Sequence, residues 1–298
     1  MLVEKPSGVS SFSVISAARK KLNIKKIGHA GTLDRFASGL LFLGINGGTK
    51  AISEIILSKK TYQTKIVFGI SSDTLDPTGK IEKFLPPKIS EQKIMITVKS
   101  FQGKIWQTPP KFSAIKIDGK RASDRIRAGE KISLTPKKVE IFSIKLKKIS
   151  NSSILFPGFP EIEVELEVSS GFFVRSFARD LGKKMGFAGI CSELIRKKIN
   201  HFSISNAVKI NEINRKKIKK FSPQNFSIPS FEITKNNLDN FFHGKPFNLN
   251  QKNYQKIAVF FEKQWIGFAE IKNKIVFPKK VISDFNRQKI SVINKETN

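Results

Sequence analysis

One short segment alternates more cleanly than any other part of the chain. In residues 161–168, Ile162, Val164, Leu166 and Val168 alternate with glutamates. Successive side chains of a strand point to opposite faces, so this pattern predicts a strand with one buried face and one face toward water. Because a single strand is not stable alone, the chain is expected to build a sheet around it.

A second alternating run predicts another strand of that sheet. Starting from Tyr62, the residues Thr64, Ile66, Phe68 and Ile70 fall on one strand face. Tyr62 therefore begins a row that faces the core. The other strand predictions are residues 40–45, a hairpin arm at 115–120 that turns at 118–119, and residues 138–149. A separate turn is predicted at residues 76–79.

Four segments carry helix signals. Ser10 and Ser11 can cap a helix that runs through Leu22, and Ser90 can cap a helix that ends near Phe101. The other predicted helices are residues 49–57, with Ile52, Ile55 and Ile56 facing inward, and residues 176–185, with Gly186 as the stop. Between the first helix and the strand at 40–45, residues 23–39 are expected to form a polar loop.

The chain becomes basic and irregular at residues 211–229, a composition typical of a linker. Beyond this segment, strand-like runs at 257–261 and 265–271 are separated by turn signals and predict a small β-rich module. We therefore expect a main domain over residues 1–210, a linker over 211–229, and a second domain over 230–298.

The charge of the chain points to a polyanionic partner. Lys and Arg total 54 against 24 Asp and Glu, which gives a formal net charge of +30. Nucleic acid and an anionic membrane surface are the two candidates, and a membrane binder would concentrate its charge on one amphipathic helix or beside an apolar span. Here the excess is spread along the chain. Compositional bias toward Lys, Ile, Asn and Phe accounts for part of it.

Several classes of site are excluded by residue counts. Cys191 is the single cysteine of the sequence, and the three histidines are scattered. An intrachain disulfide is therefore excluded, and no metal site is expected. No run approaches the roughly 18 apolar residues of a membrane span, and the first ten residues lack an apolar stretch. We expect a cytoplasmic protein that does not bind a membrane.

The loop over residues 28–39 carries the strongest chemical signal. Its glycines Gly28, Gly31 and Gly39 frame the carboxylate of Asp34 and the imidazole of His29. Glycines allow the backbone to approach a ligand closely. On spacing alone Asp34 is a candidate catalytic residue, although an aspartate in a turn or helix cap is the commoner alternative.

Two other groups of residues fall short of known catalytic motifs. The run Gly-Gly-Thr-Lys at 47–50 has the wrong order for a phosphate-binding loop, which needs two glycines five apart with Lys and Ser or Thr after the second. No Ser-His-Asp or Cys-His arrangement has supporting local sequence either. Nucleoside triphosphate hydrolysis and hydrolysis by a Ser or Cys nucleophile are therefore not predicted.

Further motifs accompany this loop in a fixed order. They are Lys-Pro-Ser-Gly-Val-Ser at 5–10, Gly-His-Ala-Gly-Thr-Leu-Asp at 28–34, Tyr-Gln-Thr at 62–64, Phe-Ser-Ala-Ile-Lys at 112–116, the segment 170–181, and Leu-Ile-Arg at 194–196. Together they resemble the motifs of the TruB family of tRNA pseudouridine synthases. Residues 238–281 show a weaker similarity to the small RNA-binding tail domain of that family, which resembles PUA.

The resemblance assigns roles to particular residues. It implies that Asp34 is the essential carboxylate, that Arg175 is its ion-pair partner, and that Tyr62 packs on the target base. A nearby arginine favours the ionised carboxylate, and an aromatic face offsets part of the cost of unstacking a base. His29 resembles the histidine that holds the flipped RNA. The other substrate-binding residues implied by the matched motifs are Lys5, Lys116, Phe173 and Leu194.

Two positions depart from the family pattern. Arg35 stands where the family has a proline after the aspartate, which is expected to loosen the loop and offers a phosphate contact. Phe173 stands where the family often has a tyrosine, so the ring is kept and the hydroxyl is lost.

The resemblance also implies a fold and a reaction. The expected fold is α+β, a catalytic domain with a mixed, mainly antiparallel sheet flanked by helices, plus a small β-rich PUA-like C-terminal domain. The expected protein is a monomeric isomerase that uses no cofactor and acts on uridine 55 in the T-arm of tRNA. Two alternatives stay open: an RNA-binding or RNA-folding protein without chemistry, and a guide-RNA-directed pseudouridine synthase acting on ribosomal RNA.

Overall fold

Two sheets organise the part of the chain that the structure describes, residues 1–130 and 132–282 of a computed structural model. Residues 283–298, the end of the predicted C-terminal domain, lie outside that part. Up to residue 203 the strands are β1 (Leu2–Lys5), β2 (Ile27–His29), β3 (Ser38–Ile45), β4 (Lys60–Phe68), β5 (Ile70–Ser72), β6 (Ile81–Lys83), β7 (Gly103–Gln107), β8 (Lys116–Ile117), β9 (Lys120–Arg121), β10 (Lys137–Ser150), β11 (Glu161–Val168), β12 (Gly189–Ile199) and β13 (Phe202–Ser203). The helices are α1 (Ser11–Leu22), α2 (Ile52–Leu57), α3 (Glu91–Lys99), α4 (Ala122–Arg127) and α5 (Val174–Met185).

The larger sheet has the order β1-β3-β12-β4-β11-β10-β7, with β2 paired to β3 and β13 paired to β12. Within the described residues, β12 and β3 are its one parallel pair, and the other neighbours are antiparallel. The expected fold class, α+β with a mixed and mainly antiparallel sheet, is therefore confirmed.

The strand with the cleanest alternation lies inside this sheet. The prediction of a half-buried strand at β11 is confirmed, because Val164, Leu166 and Val168 are fully buried while the glutamates at 163, 165 and 167 are partly exposed. The buried face packs against α5 through Phe177 and Leu181. This packing places the N-terminal end of α5 over the strands that carry the site.

The predicted caps of two helices are confirmed. The Ser10 hydroxyl accepts a hydrogen bond from the Ser13 amide at the start of α1. Gly186 adopts a left-handed conformation with φ of 90° and ends α5. A residue other than glycine is strained at that φ, so the chain turns away from the helix at this point.

One local prediction is wrong, and another is confirmed only in part. The loop predicted over residues 23–39 contains the short strand β2, whose residue Gly28 pairs with Gly44. Alternation cannot reveal a three-residue strand built around a glycine. The helix predicted over 49–57 begins with a 3₁₀ turn at Asn46–Ala51 and becomes α-helical only at α2. On α2, Ile55 is buried as predicted, whereas Ile56 is 37% exposed.

The second sheet lies in the C-terminal part of the chain and has the order β14-β16-β17-β18-β15. Its elements are β14 (Ser230–Glu232), α6 (Lys235–Phe242), β15 (Phe247–Asn248), β16 (Tyr254–Phe261), β17 (Gln264–Lys272) and β18 (Ile275–Val281). The predicted strands at 257–261 and 265–271 fall within β16 and β17, which confirms a β-rich C-terminal part.

The basic segment at 211–229 is not a free tether. Short 3₁₀ turns occur along it, and Ile213 and Phe226 are buried. Phe226 belongs to an apolar cluster that also contains Ala51 of the N-terminal part and Trp265 of the C-terminal sheet. The segment thus joins both sheets through packing, and the domain boundaries drawn around it stay a prediction.

Candidate active site

The backbone on both sides of Asp34 is held by the N-terminal segment. The Ser11 hydroxyl accepts a hydrogen bond from the Leu33 amide at 2.9 Å and donates one to the Leu33 carbonyl at 3.1 Å. The Gly8 amide donates to the Arg35 carbonyl at 2.8 Å. Because both neighbours of Asp34 are fixed in this way, its carboxylate extends from a restrained loop.

Lys5 supports the same loop from inside the protein. It is fully buried, and burial lowers the pKa of its ammonium to about 8, an effect that the Asp34 carboxylate opposes and the Arg196 guanidinium reinforces. Its ammonium donates hydrogen bonds to the carbonyls of Pro6, Val9 and Arg35. This geometry gives Lys5 a positioning role for the loop.

Arg196 holds the other end of the loop. It is 1% exposed, and its guanidinium donates to the Leu40 carbonyl at 2.8 Å and to the Gly31 carbonyl at 3.0 Å. Gly39 lies against its backbone with φ of 112°, and a Cβ atom at that position would lie 2.5 Å from the Arg196 carbonyl oxygen. Only glycine fits there, which explains the last glycine of the motif.

Arg175 brings two carboxylates together. It is the second residue of α5, its side chain is 5% exposed, and its Nε lies 2.8 Å from Oδ2 of Asp34. Its Nη1 lies 3.3 Å from Oδ2 of Asp76. The same guanidinium donates to the carbonyls of Thr74 at 2.7 Å and Phe112 at 3.0 Å. A guanidinium presents its donors in a rigid planar fork, so it can hold these acceptors in fixed directions, whereas an ammonium is a compact charge without that fork.

Asp76 is held by the turn in which it lies. Its Oδ1 accepts hydrogen bonds from the Thr74 hydroxyl at 2.9 Å, the Thr78 amide at 2.9 Å and the Thr78 hydroxyl at 2.5 Å. The side chain is 5% exposed. With one oxygen occupied by the turn and the other facing Arg175, Asp76 is suited to fixing the arginine.

Asp34 and Arg175 border a small cavity of about 120 Å³. Drug-sized ligands occupy pockets of roughly 300 Å³ or more, so this cavity is small and has room only for a small group. Its lining residues are Thr32, Leu33, Asp34, Tyr62, Ser113, Ala114, Phe172, Phe173, Val174, Arg175 and Leu194. A carboxylate at the edge of an aromatic and aliphatic cavity can act on a heterocycle that the walls hold in place.

Tyr62 reaches the cavity from the central sheet. On β4 it lies opposite Leu166 of β11 on one side and Arg196 of β12 on the other. Its ring is partly buried and packs on the core beneath α5. Tyr62 thus packs on the same core as Ile66 and Phe68, which agrees with the predicted core-facing row, whereas Ile70 belongs to a different apolar cluster.

The cavity walls raise the pKa of Asp34 above its ordinary value, because they remove water from the carboxylate. The Arg175 guanidinium opposes this shift, whereas the neighbouring charge of Asp76 adds to it. The Asp34 side chain is nevertheless 39% exposed, so a ligand in the cavity can reach it. A carboxylate with a raised pKa is a stronger base than one in water.

Five of the eight predicted site residues line the cavity. They are Asp34, Tyr62, Phe173, Arg175 and Leu194. Lys5, His29 and Lys116 do not line it: Lys5 lies behind the loop, and Lys116 is exposed on the short hairpin strand β8. His29 is partly buried on β2, where burial and the charge of Arg196 lower the pKa of its imidazole. The neutral ring is thus favoured at neutral pH.

The structure shows the contacts of Arg35 and Phe173, the two residues that depart from the family motif. The Arg35 guanidinium donates from Nε to the Gly8 carbonyl at 3.1 Å, which complements the bond from the Gly8 amide to the Arg35 carbonyl. This reciprocal pair restrains the loop where a proline is missing. Phe173 keeps its ring at the cavity wall, and its amide donates to the Gln107 side chain at 2.8 Å.

Sequence reasoning missed two polar residues of the site. Asp76 was interpreted only as part of a turn, although Thr74 and Thr78 beside it supply the hydroxyl groups that hold a buried aspartate. Ser113 lies in a matched motif and lines the cavity, but nothing in the sequence indicated that its side chain is buried. The sequence around these two residues does not indicate their place in the site, because the site is assembled from distant parts of the chain.

Within residues 1–130 and 132–282, no group of three His, Cys, Asp or Glu side chains could hold a metal ion. None of the helices described in this range combines the length and apolar character needed to cross a bilayer.

Comparison with known proteins identifies the family of the chain. The sequence model of the TruB family of pseudouridylate synthases, in its N-terminal domain, matches residues 19–174. The chain belongs to the TruB family. As a pseudouridylate synthase it is an isomerase, which rejoins uracil to ribose through a different ring atom.

Relatives extend this similarity along the chain. The tRNA pseudouridine synthase B of Aquifex aeolicus is 33% identical over 292 residues, which cover 95% of this chain and 98% of that protein. The protein of the same name from Treponema denticola is 41% identical over 222 residues, covering 70% of this chain and 62% of the relative. The TruB-family assignment therefore does not depend on the motifs alone.

Solved structures share the fold at low identity. A chain from an H/ACA RNP bound to a substrate RNA containing 2′-deoxyuridine superposes with a TM-score of 0.70 at 18% identity, covering 94% of this chain and 84% of that chain. A chain from a Cbf5-Nop10-Gar1 complex gives the same TM-score at 19% identity over the same shares. These likenesses concern the TruB-family fold.

Proposed function

We propose that the chain converts uridine to pseudouridine in tRNA, at uridine 55 of the T-arm, with Asp34 as the essential carboxylate. The observation that carries the proposal is the Asp34–Arg175 ion pair at the edge of a small cavity that Tyr62 also lines. The Aquifex aeolicus relative, named as a tRNA pseudouridine synthase, supports the choice of RNA because the similarity spans nearly all of both chains. The protein acts as a monomer in the cytoplasm and needs no cofactor.

The proposed reaction begins with the target uracil outside its stack. Flipping a base costs a few kcal/mol, and stacking on an aromatic ring returns about 1–3 kcal/mol. Tyr62 on β4 supplies that ring at the cavity wall, and Phe173 and Leu194 border the same space. The cavity thus holds the base where Asp34 can reach it.

The chemical steps then exchange one bond to the ribose for another. The bond from N1 to C1′ breaks, the uracil turns, and C5 bonds to C1′; C5 then loses its proton and N1 gains one. Asp34 serves as the nucleophile or base for this exchange while it is ionised. Arg175 keeps the carboxylate in place and favours its charged form.

The positive charge of the chain suits the proposed substrate. Each phosphate contact contributes a slope of about −0.7 to −0.9 to the change of log K with log salt concentration. With a net charge of +30, we expect the affinity for a tRNA transcript to fall steeply as salt rises. Titration by fluorescence anisotropy at several salt concentrations measures the slope, and affinity independent of salt would contradict this part of the proposal.

The site of modification is tested with the purified chain and an unmodified tRNA transcript. Mass spectrometry after a label specific for pseudouridine should find one pseudouridine, at position 55, with no added RNA or protein. A matched transcript with cytidine at position 55 should yield none. Product at another position would refute the T-arm assignment, and a requirement for guide RNA would favour the guide-directed alternative.

The role of Asp34 is tested in the same assay. Asp34→Asn should bind the transcript with an affinity close to wild type and form no pseudouridine, because the amide is neither a base nor an effective nucleophile at neutral pH. Unchanged product formation by Asp34→Asn would refute the catalytic role. Absence of product from the wild-type chain, with binding retained, would favour an RNA-binding protein without chemistry.

A further inference from the structure

Ser113 is a lining residue of the cavity and carries a buried hydroxyl group that has no hydrogen-bond partner among the described residues. The residue is 5% exposed, and no protein group within residues 1–130 and 132–282 hydrogen-bonds to its Oγ. Buried polar groups in folded proteins almost always have a partner, because losing water without replacement is costly. A buried hydroxyl without a partner therefore calls for an explanation from function.

The backbone around Ser113 is fixed. Its amide donates to the Lys111 carbonyl at 3.1 Å, and its carbonyl accepts from the Ser123 amide at 3.2 Å. The preceding residue, Phe112, accepts a hydrogen bond from Arg175 at 3.0 Å. The hydroxyl is thus carried by a segment that is tied to the guanidinium beside Asp34, and this arrangement restricts its position relative to the reacting groups.

Besides Ser113, the residues Thr32 and Tyr62 carry hydroxyl groups at the cavity. Phe172, Phe173, Val174 and Leu194 line the rest of it with apolar side chains. The guanidinium of Arg175 faces two carboxylates and two carbonyls. A uracil that entered this space would carry two carbonyl oxygens out of water, and each would need a hydrogen-bond donor.

We propose that the Ser113 hydroxyl donates a hydrogen bond to a carbonyl oxygen of the uracil bound in the cavity. This inference rests on the proposed function, because it takes the target uridine as the occupant. Ser113 is then a substrate-binding residue whose hydrogen bond is completed only when the base is in place. In the free protein the same hydroxyl stays unpaired.

The first test compares Ser113→Ala with the matched control Ser123→Ala. Ser123 lies in the same segment, but its hydroxyl donates to Asp124 on the surface and does not line the cavity. A net hydrogen bond corresponds to about a 2- to 12-fold change in an equilibrium or rate. We expect kcat/KM to fall by about that factor in Ser113→Ala and to stay unchanged in Ser123→Ala.

Thermal unfolding separates this role from a structural one. Removing an unpaired buried hydroxyl takes away a desolvation cost, so the melting temperature of Ser113→Ala should equal or exceed that of wild type. A lower melting temperature together with lower activity would mean that the hydroxyl supports the fold, and it would overturn the proposal. Unchanged kcat/KM in Ser113→Ala would also overturn it.

The second test identifies the atom that the hydroxyl contacts. Transcripts carry 2-thiouridine, 4-thiouridine or 2′-deoxyuridine at the target position, and sulfur replaces one carbonyl oxygen in each of the first two. The penalty is the ratio of kcat/KM of wild type to that of Ser113→Ala. This ratio should fall toward 1 with one of the two thio substrates and should stay unchanged with the other two RNAs. A penalty that persists with both thio substrates, or shrinks only with 2′-deoxyuridine, would overturn the contact to uracil.

Wild-type activity on the unmodified transcript separates this proposal from the proposed function. If the wild-type chain forms no pseudouridine at position 55, the proposed function is refuted, and the Ser113 contact is refuted with it. If wild type is active and Ser113→Ala is equally active, the Ser113 contact alone is refuted.

Discussion

Two aspartates meet the same arginine from two different loops, and the loops hold them differently. Asp76 is 5% exposed, and its turn provides it with three hydrogen bonds from Thr74 and Thr78. Asp34 is 39% exposed and, among the described residues, forms its ion pair with Arg175 alone. The loop of Asp34 fixes the backbone, whereas the turn of Asp76 fixes the carboxylate itself.

This difference separates a reactive group from a supporting one. A carboxylate whose lone pairs are occupied by donors cannot easily attack a substrate or take a proton, but it can hold a cation in place. A carboxylate that is 39% exposed on a restrained loop beside a cavity keeps its chemistry available. We therefore propose that Asp34 carries out the chemistry and that Asp76 positions the arginine beside it.

Replacing the shared arginine should have the largest effect. Arg175→Met leaves the buried Asp76 without its cation and two carbonyls without donors, and breaking a buried ion pair typically costs about 3–5 kcal/mol. We expect a loss of that size in the free energy of unfolding, measured by urea denaturation, together with loss of pseudouridine formation. Arg175→Lys keeps the positive charge but lacks the planar fork of donors, so its stability and activity should lie between those of wild type and of Arg175→Met. Wild-type stability in Arg175→Met would contradict the bridging role.

Replacing the supporting aspartate should have a smaller effect, mainly on stability and geometry. Asp76→Asn keeps the size of the side chain and can still accept the bond from the Thr78 amide, but the charge facing Arg175 is lost. We expect about 1–3 kcal/mol of destabilisation and a reduced but measurable single-turnover rate. Complete loss of product from a folded Asp76→Asn variant would erase the proposed distinction between the two aspartates.

The pH dependence of the rate tests the charge coupling between the aspartates. Because the cavity raises the pKa of Asp34, the rate should fall on acidification at a pH above the usual aspartate pKa of about 3.9. The Asp76 charge contributes to that rise, so Asp76→Asn should move this acidic limb to lower pH. Single-turnover rates from about pH 4 to pH 8 measure the shift, and an acidic limb at the same pH in both proteins would contradict the coupling.

The smallest effect is expected at Arg35. Arg35→Ala removes the bond from the guanidinium to the Gly8 carbonyl but keeps the bond from the Gly8 amide to the Arg35 carbonyl. One exposed hydrogen bond contributes about 0.5–1.5 kcal/mol, and the rate should fall less than in Asp76→Asn. Thermal unfolding measures the loss of stability, and single-turnover kinetics measure the fall in rate. A larger loss of tRNA affinity than of rate would instead assign Arg35 to phosphate binding.

Local patterns predicted much of the framework that positions the site. The alternation at β11 and the row that begins at Tyr62 indicated which strand faces are buried, because the strand period depends on neighbouring residues alone. The cap at Ser10 and the stop at Gly186 were found for the same reason. Strand β2 escaped prediction because its pairing with β3 is long-range and its glycine gives no alternation.

The site could be predicted only in part. Asp34, Tyr62 and Arg175 were found because each lies in a motif that resembles those of the family. Asp76 and Ser113 gain their importance from contacts across the fold, with α5 and with the cavity, and no local pattern encodes such contacts. Lys5 was assigned to the substrate because it lies in a motif that resembles one of the family, whereas the structure buries its ammonium beneath the loop of Asp34.

The most direct test of the central claim measures pseudouridine formation and unfolding of Asp34→Asn, with Asp76→Asn as its pair. A raised pKa means that the folded state favours the neutral form of Asp34, so its stability contribution is present at low pH and is lost as the carboxylate ionises. The neutral asparagine should therefore leave the melting temperature at or above that of wild type. The account predicts no product from this stable variant, and detectable product from the less stable Asp76→Asn. Product from Asp34→Asn at the wild-type rate, or inactivity explained by unfolding, would contradict it.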